Sequence, residues 1–266
     1  MANISDNDIV VSSWEDLCEK LYLNSWKEGL QRFRTDYAFR GVSDKSYELK
    51  NRFLRNCGEN EILEFHLLRN FKKYAKLNRQ SLASDWDLVT IGQHYGLPTR
   101  LMDWTYSPFV AVHFATSNIK KFDKDGAIWM VDFVKAKSVL PEALRKALKA
   151  SGSNTFTVDL LDETIPRLAD FDSLSINNFA IFFEPPSIDE RIVNQYAFFS
   201  VMSSPTALMD DWLILNKEFY YRIIIPRELK WEVRDKLDQA NITERLLFPG
   251  LDGLAKWLER HYYPRK

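Results

Sequence analysis

The chain has little of what several common chemistries require. Cys18 and Cys57 are its only cysteines, too few and too far apart for a disulfide framework or a zinc site, and they read as idle thiols of a reducing compartment. Its four histidines include no His-x-x-x-His pair, so the helical zinc-hydrolase signature is missing. None of the nine glycines belongs to a Gly-x-Gly-x-x-Gly or Gly-x-x-x-x-Gly-Lys phosphate loop, and no Gly-x-Ser-x-Gly elbow occurs. Neither charge is in excess: 36 basic against 37 acidic residues leave a net charge of −1, with no global pull toward nucleic acid or anionic lipid. A local basic groove stays compatible with that balance. Basic residues do not interleave with the aromatics in an RNA-binding pattern. No apolar run approaches the roughly 18 residues of a membrane span. The N-terminal residues lack a basic stretch followed by an apolar one. These absences lead us to expect a cytoplasmic protein with no membrane contact, and they leave its oligomeric state open.

Large side chains are plentiful. Eight Trp and eighteen Phe, within 45% hydrophobic content over 266 residues, suffice for a substantial core. No Pro/Gly/Ser-rich linker divides the chain, which favours one domain. Ser12-Ser13-Trp14-Glu15 reads as a helix start, and Tyr37 to Val42 as a strand. The spacing predicts helices over Asn60 to Leu77 with one buried stripe, over Trp86 to Tyr95 capped by Ser84 or Asp85, and over Pro108 to Thr116. Gly126 to Val134, Ala180 to Phe183 and Phe219 to Ile225 read as strands; Arg191 to Met202 passes from a helical turn into another. Lys135 to Asp172 is the least regular part. Glu228 to Ala240 and Leu254 to Arg260 read as closing helices. Helices dominate the first half and strands the second, without βα alternation. The expected class is α+β: a helical N-terminal region, residues 1–36, packed on a mixed or antiparallel β core.

Function concentrates in two places. Gly92 to Thr105 holds an amide, an imidazole, a phenol, a guanidinium, a carboxylate and an indole, an unusual density of hydrogen-bonding groups. Gln93, His94 and Tyr95 fall at a helix C-terminus, where His94 either caps a carbonyl or serves a site. Thr99, Arg100, Asp103 and Trp104 follow in one bend, where Arg100 and Asp103 either pair with each other or face a ligand. Upstream lies Phe39-Arg40-Gly41. Arg40 at a strand end suits a buried acid, a phosphate or a carboxylate, and Gly41 would let a ligand approach the backbone.

These residues resemble the FRG-domain proteins, named for the Phe-Arg-Gly tripeptide. Phe39-Arg40-Gly41 with Ser43-Asp44 fits the opening motif. Gln93 to Thr105 fits the most specific segment almost residue for residue, and Ser107-Pro108 and Ala111 to Ala115 continue it. Arg191-Ile192 with Gln195 resembles a later Arg-Ile-x-x-Gln motif, and Phe248 to Gly253 a closing one, so the motifs span about residues 37–258. Three positions depart from the family: Met102 replaces a usual Leu, His113 stands where Tyr is common, and Tyr196 where Gly is common.

The family is similar in outline to ADP-ribosyltransferases. That likeness implies an ADP-ribosyltransferase-like fold and an enzyme using NAD as a bacterial toxin or phage-defence effector, with a nucleic-acid or protein acceptor. Arg40, His94 and Gln195 would be catalytic. Phe39, Gly41, Gln93, Tyr95, Thr99, Arg100, Asp103, Trp104 and His113 would bind the cofactor, and no metal is implied. The late catalytic position falls on Gln195, Glu184 or Glu244. A non-catalytic module for a nucleotide or phosphate, and a metal-dependent nuclease or hydrolase, are the alternatives.

Overall fold

A computed structural model describes residues 7–75 and 84–264. Among these, ten strands follow in chain order. They are β1 Asp8–Val10, β2 Trp26–Lys27, β3 Arg32–Phe33, β4 Tyr37–Val42, β5 Met102–Thr105, β6 Gly126–Asp132, β7 Phe156–Thr157, β8 Ala180–Glu184, β9 Ala197–Met202 and β10 Tyr220–Ile225. The helices of the first half are α1 Trp14–Leu21, α2 Arg52–Cys57, α3 Ile62–Tyr74, α4 Asp85–His94 and α5 Pro108–Thr116. Short helices fill the middle: α6 Phe133–Ala136, α7 Glu142–Ser151, α8 Val158–Thr164 and α9 Leu168–Asp172. The remainder are α10 Glu190–Asn194, α11 Met209–Leu215, α12 Lys230–Gln239, α13 Glu244–Leu247 and α14 Leu251–His261.

The architecture is α+β. Eight strands form one sheet in the order β1-β10-β6-β4-β5-β9-β8-β7, parallel at its two edges and antiparallel between them. Alternation along the strands sorts side chains to two faces. Ala38, Trp129, Val131, Phe182, Phe198 and Tyr220 pack on one face with α6 and α11. On the opposite face Phe39, Ile128, Met130 and Ile223 lie under α1, α5 and α12. Phe183, Phe199 and Val201, further along that same face, lie under α4, α7, α8 and α9. This face therefore carries two separate helix layers, and the gap between them is where the conspicuous polar residues gather.

Local chemistry accounts for the elements that border the gap. Ser84 and Asp87 form a reciprocal capping box at the start of α4, and Ser107 caps α5 with Pro108 in its first turn. The end of α4 is a Schellman motif: Gly96 takes φ +83°, its N–H donates to the Gln93 carbonyl at 3.0 Å, and the Leu97 N–H donates to the Gly92 carbonyl at 2.8 Å. Gly41 has no room for a side chain, because a Cβ there would sit 1.8 Å from the Ala111 carbonyl oxygen of α5. Its missing side chain serves helix packing before any ligand.

Four sequence-based expectations change. The bend expected from Thr99 to Thr105 ends in strand β5, Met102–Thr105, inside the sheet. The N-terminal segment adds β1 to the sheet edge beside β10 and a small β2–β3 hairpin, besides one helix. Helix α3 buries only Glu64 and Leu68, leaving Ile62 and Phe65 exposed, and Leu77 of the expected span lies outside the described residues. The stretch from Lys135 to Asp172 is mostly helical, α6 to α9 with the edge strand β7. Among the described residues no helix is long and apolar enough to cross a membrane.

Candidate functional site

The seam between β4 and β5 opens almost at once. Only Phe39 and Thr105 pair across it, and beyond that pair the strands part. The Asp103 carbonyl accepts a hydrogen bond from Nη1 of Arg40, a side-chain donor where a strand neighbour would normally supply one. A cleft of about 220 Å³ occupies the opening, walled by Phe39, Phe114 and Phe199 at its apolar end and by Arg40, Asp103 and Arg191 at its polar end. A second cavity of about 280 Å³ continues from the polar end and shares Arg40, Gln93, His94, Asp103 and Arg191 with the first.

The bend around residue 100 is fixed by its own hydrogen bonds. The Thr99 hydroxyl donates to Gln93 Oε1 at 2.5 Å, which aims the Gln93 amide so that Nε2 donates to Asp103 Oδ1 at 3.0 Å. His94 Nε2 lies 2.8 Å from Asp189 Oδ2, while the other oxygen of Asp189 caps α10 at the Ile192 N–H. One carboxylate thus orients the imidazole and holds the helix that carries Arg191.

Cations crowd the polar end. Arg40, Lys50, Arg52, Arg55 and Arg191 line the joined cavities, with Asp103 as the one carboxylate among the described lining residues. Lys50 is paired with Glu48 at 2.6 Å. The four guanidiniums carry no salt bridge among the described residues; Arg191 rests on the Phe248 ring at 5.3 Å. Burial pushes the Arg40 pKa below its ordinary value, Asp103 pulls it back and Arg55 adds repulsion. Its Nε is buried with no hydrogen-bond partner. An anion in this place would relieve both the unpartnered donor and the mutual repulsion.

Residues 35–124 match the family model of the FRG domain. The chain carries an FRG domain. No curated protein and no solved structure matches the chain. The FRG match contains Phe39, Arg40, Gly41, Gln93, His94, Asp103 and Trp104, whereas Arg191 and Gln195 reach the same cleft from outside it.

The structure brings some expected site residues of this FRG-domain chain together and separates others. Phe39, Arg40, Gly41, Gln93, His94, Asp103, Trp104 and Gln195 line the cleft. Trp104 does so as a buried wall, its Nε1 donating to the Ser200 hydroxyl at 2.8 Å. Thr99 is buried behind Gln93, to which its hydroxyl donates while accepting from the Leu101 N–H at 3.2 Å. Tyr95, the C-cap of α4, points to solvent at 70% exposure. Arg100 does not pair with Asp103: it is buried and bound by Glu64, with Nε 2.9 Å from both oxygens, and also by Asp172. His113 turns away from the cleft into the layer under α12, where its Nδ1 lies 3.0 Å from Arg234 Nη1. Burial first, and Arg234 second, push its pKa down to about 3.

Of the three candidates for the late position, Gln195 alone lines the cleft. Its Nε2 donates to the Leu247 carbonyl at 2.9 Å. Glu184 instead accepts from the Tyr106 hydroxyl at 2.8 Å, and Glu244 is consumed by Arg260 at 2.7 Å. Sequence reasoning missed Arg52 and Arg55 of the FRG domain, although their i, i+3 spacing sets both on one helix face. It also missed Asp189, which no motif marks. Among the described residues no group of three or more His, Cys, Asp and Glu side chains is placed to hold a metal ion.

Proposed function

We propose that the cleft binds a nucleotide through its phosphates, and that the FRG-domain chain is an ADP-ribosyltransferase-like enzyme acting on NAD. The observation that carries this reading is the meeting of four guanidiniums without carboxylate partners and a wall of Phe39, Phe114 and Phe199, with one carboxylate between them. Arg40 and Arg191, backed by Arg52 and Arg55, suit a pyrophosphate, each charge-assisted bond contributing about 1.5–3 kcal/mol. At the apolar end the partly exposed Phe114 ring offers a face to a flat heteroaromatic ring, with the buried Phe39 and Phe199 behind it. Asp103, held by Gln93, is placed to accept ribose hydroxyls and to stabilise positive charge growing at the anomeric carbon. In the transfer, the bond from ribose to nicotinamide breaks with its electron pair leaving on nicotinamide. The acceptor's nucleophile bonds to the same carbon, and its proton passes to His94, oriented by Asp189. Gln195 offers Oε1 to a ribose hydroxyl while Leu247 holds its amide. Such chemistry fits a toxin or phage-defence effector.

The decisive assay is nicotinamide release from labelled NAD. The wild type releases nicotinamide or transfers label, Asp103→Asn lowers the rate by about 100-fold or more, and Arg40→Ala raises the NAD concentration needed. A second reading is favoured by the absence of a late Glu from the described lining of the cleft. Under it the same pocket is a non-catalytic nucleotide-binding module, and NAD binds without any release of nicotinamide.

A further inference from the structure

A groove of about 1220 Å³ lies beyond the basic cavity that adjoins the cleft. The groove adjoins the basic cavity, since Lys50 and Arg55 line both. From that junction the groove runs between α2, the 175–179 loop and α11. Besides Lys50 and Arg55 it is lined by the carboxylates of Glu59 and Asp211, both exposed and without a salt bridge among the described residues. Ile176 and Leu215 project from its walls at 104% and 83% exposure. Asn177 and Asn178 place side-chain amides beside them.

We infer that this groove seats an extended polypeptide, the acceptor for the chemistry of the adjoining cleft. The inference rests on the transferase reading of that cleft. Three features select a polypeptide over a nucleic acid. A primary amide offers one donor edge and one acceptor, the complement of a peptide group. Exposed aliphatic side chains fit apolar residues of a bound strand, whereas the groove's two large aromatic side chains, Phe179 and Trp212, are buried and offer no face on which a base stacks. Glu59 and Asp211 offset Lys50 and Arg55, so the groove lacks the one-sided positive charge that tracks a phosphate backbone, and its two unbridged carboxylates attract lysine or arginine. A bound chain alternating basic and apolar residues satisfies the walls and leads its end past Arg55 to the nucleotide.

Fluorescence anisotropy on the full chain tests this without requiring turnover. The probe is a fluorescein-labelled peptide of alternating lysine and valine; its glutamate–valine counterpart and a labelled oligouridylate serve as comparators. The lysine–valine peptide should bind at least about tenfold more tightly than either comparator. Asp211→Lys and Leu215→Arg, both on the exposed surface, should each weaken it about tenfold without changing NAD affinity. Oligouridylate binding as tightly as the peptide, or peptide affinity indifferent to both substitutions, would overturn the inference. Peptide binding that persists while NAD fails to bind supports the groove and sinks only the reading of the cleft.

Discussion

Arg40 and Arg100 end in opposite situations although both looked fit for an anion. Arg100 is saturated by Glu64 and Asp172 inside the core, and its loss would strand two carboxylates. Arg40 keeps a buried Nε without a partner and faces a cleft. His113 belongs with Arg100 as a structural group. The folded chain holds it near pKa 3 against an ordinary 6.5, so the unfolded chain binds its proton more readily between those values. Its contribution is fully present above about pH 6.5 and is lost as pH falls toward 3, by about 1.4 kcal/mol per pH unit. In His113→Asn, which keeps an acceptor for Arg234, urea unfolding between pH 7 and 5 should lack that slope. Tyr196 answers a different question. Its φ of +50° lies in the left-handed region, which glycine adopts without the cost a Cβ brings. Tyr196→Gly should exceed Tyr196→Ala in stability by about 1 kcal/mol, because both lose the ring but only alanine keeps the left-handed cost; denaturant midpoints of the two variants compare them directly.

Elements bring the site together by how they end. Helix α4 stops in a Gly96 turn that returns the chain along its own last residues, so Thr99 and Asp103 bracket Gln93. Strand β4 meets α5 across Gly41, and this contact sets one side of the cleft. Gly41→Ala drives a Cβ into the Ala111 carbonyl, and we expect a loss of about 3 kcal/mol or more, or insoluble protein. A near-normal unfolding midpoint for this variant would show that α5 can retreat. These elements were legible because their signals are local: a serine cap, a proline in the first turn, a glycine after the last. The partners of Arg100 were not, since Glu64 and Asp172 come from α3 and α9, and no local pattern reports a contact across 36 or 72 residues. Asp189 escaped notice for the same reason.

At the scale of the whole molecule, an almost neutral chain concentrates its cations. A net charge of −1 hides a cavity lined by five basic residues and one acid. Composition averages over the surface and cannot register such a patch; only the meeting of α2, β4 and α10 produces it. The α+β class followed from element types, but the mixing of first-half and second-half strands in one sheet follows from pairing that periodicity does not encode. The most direct measurement is isothermal titration of the full chain with NAD, for the wild type, Arg40→Ala and Arg191→Ala. One equivalent should bind, more weakly as salt rises, and each substitution should cost about tenfold or more in affinity at unchanged thermal stability. NAD that does not bind, or binds equally well to all three proteins, would contradict a phosphate site at the seam between β4 and β5.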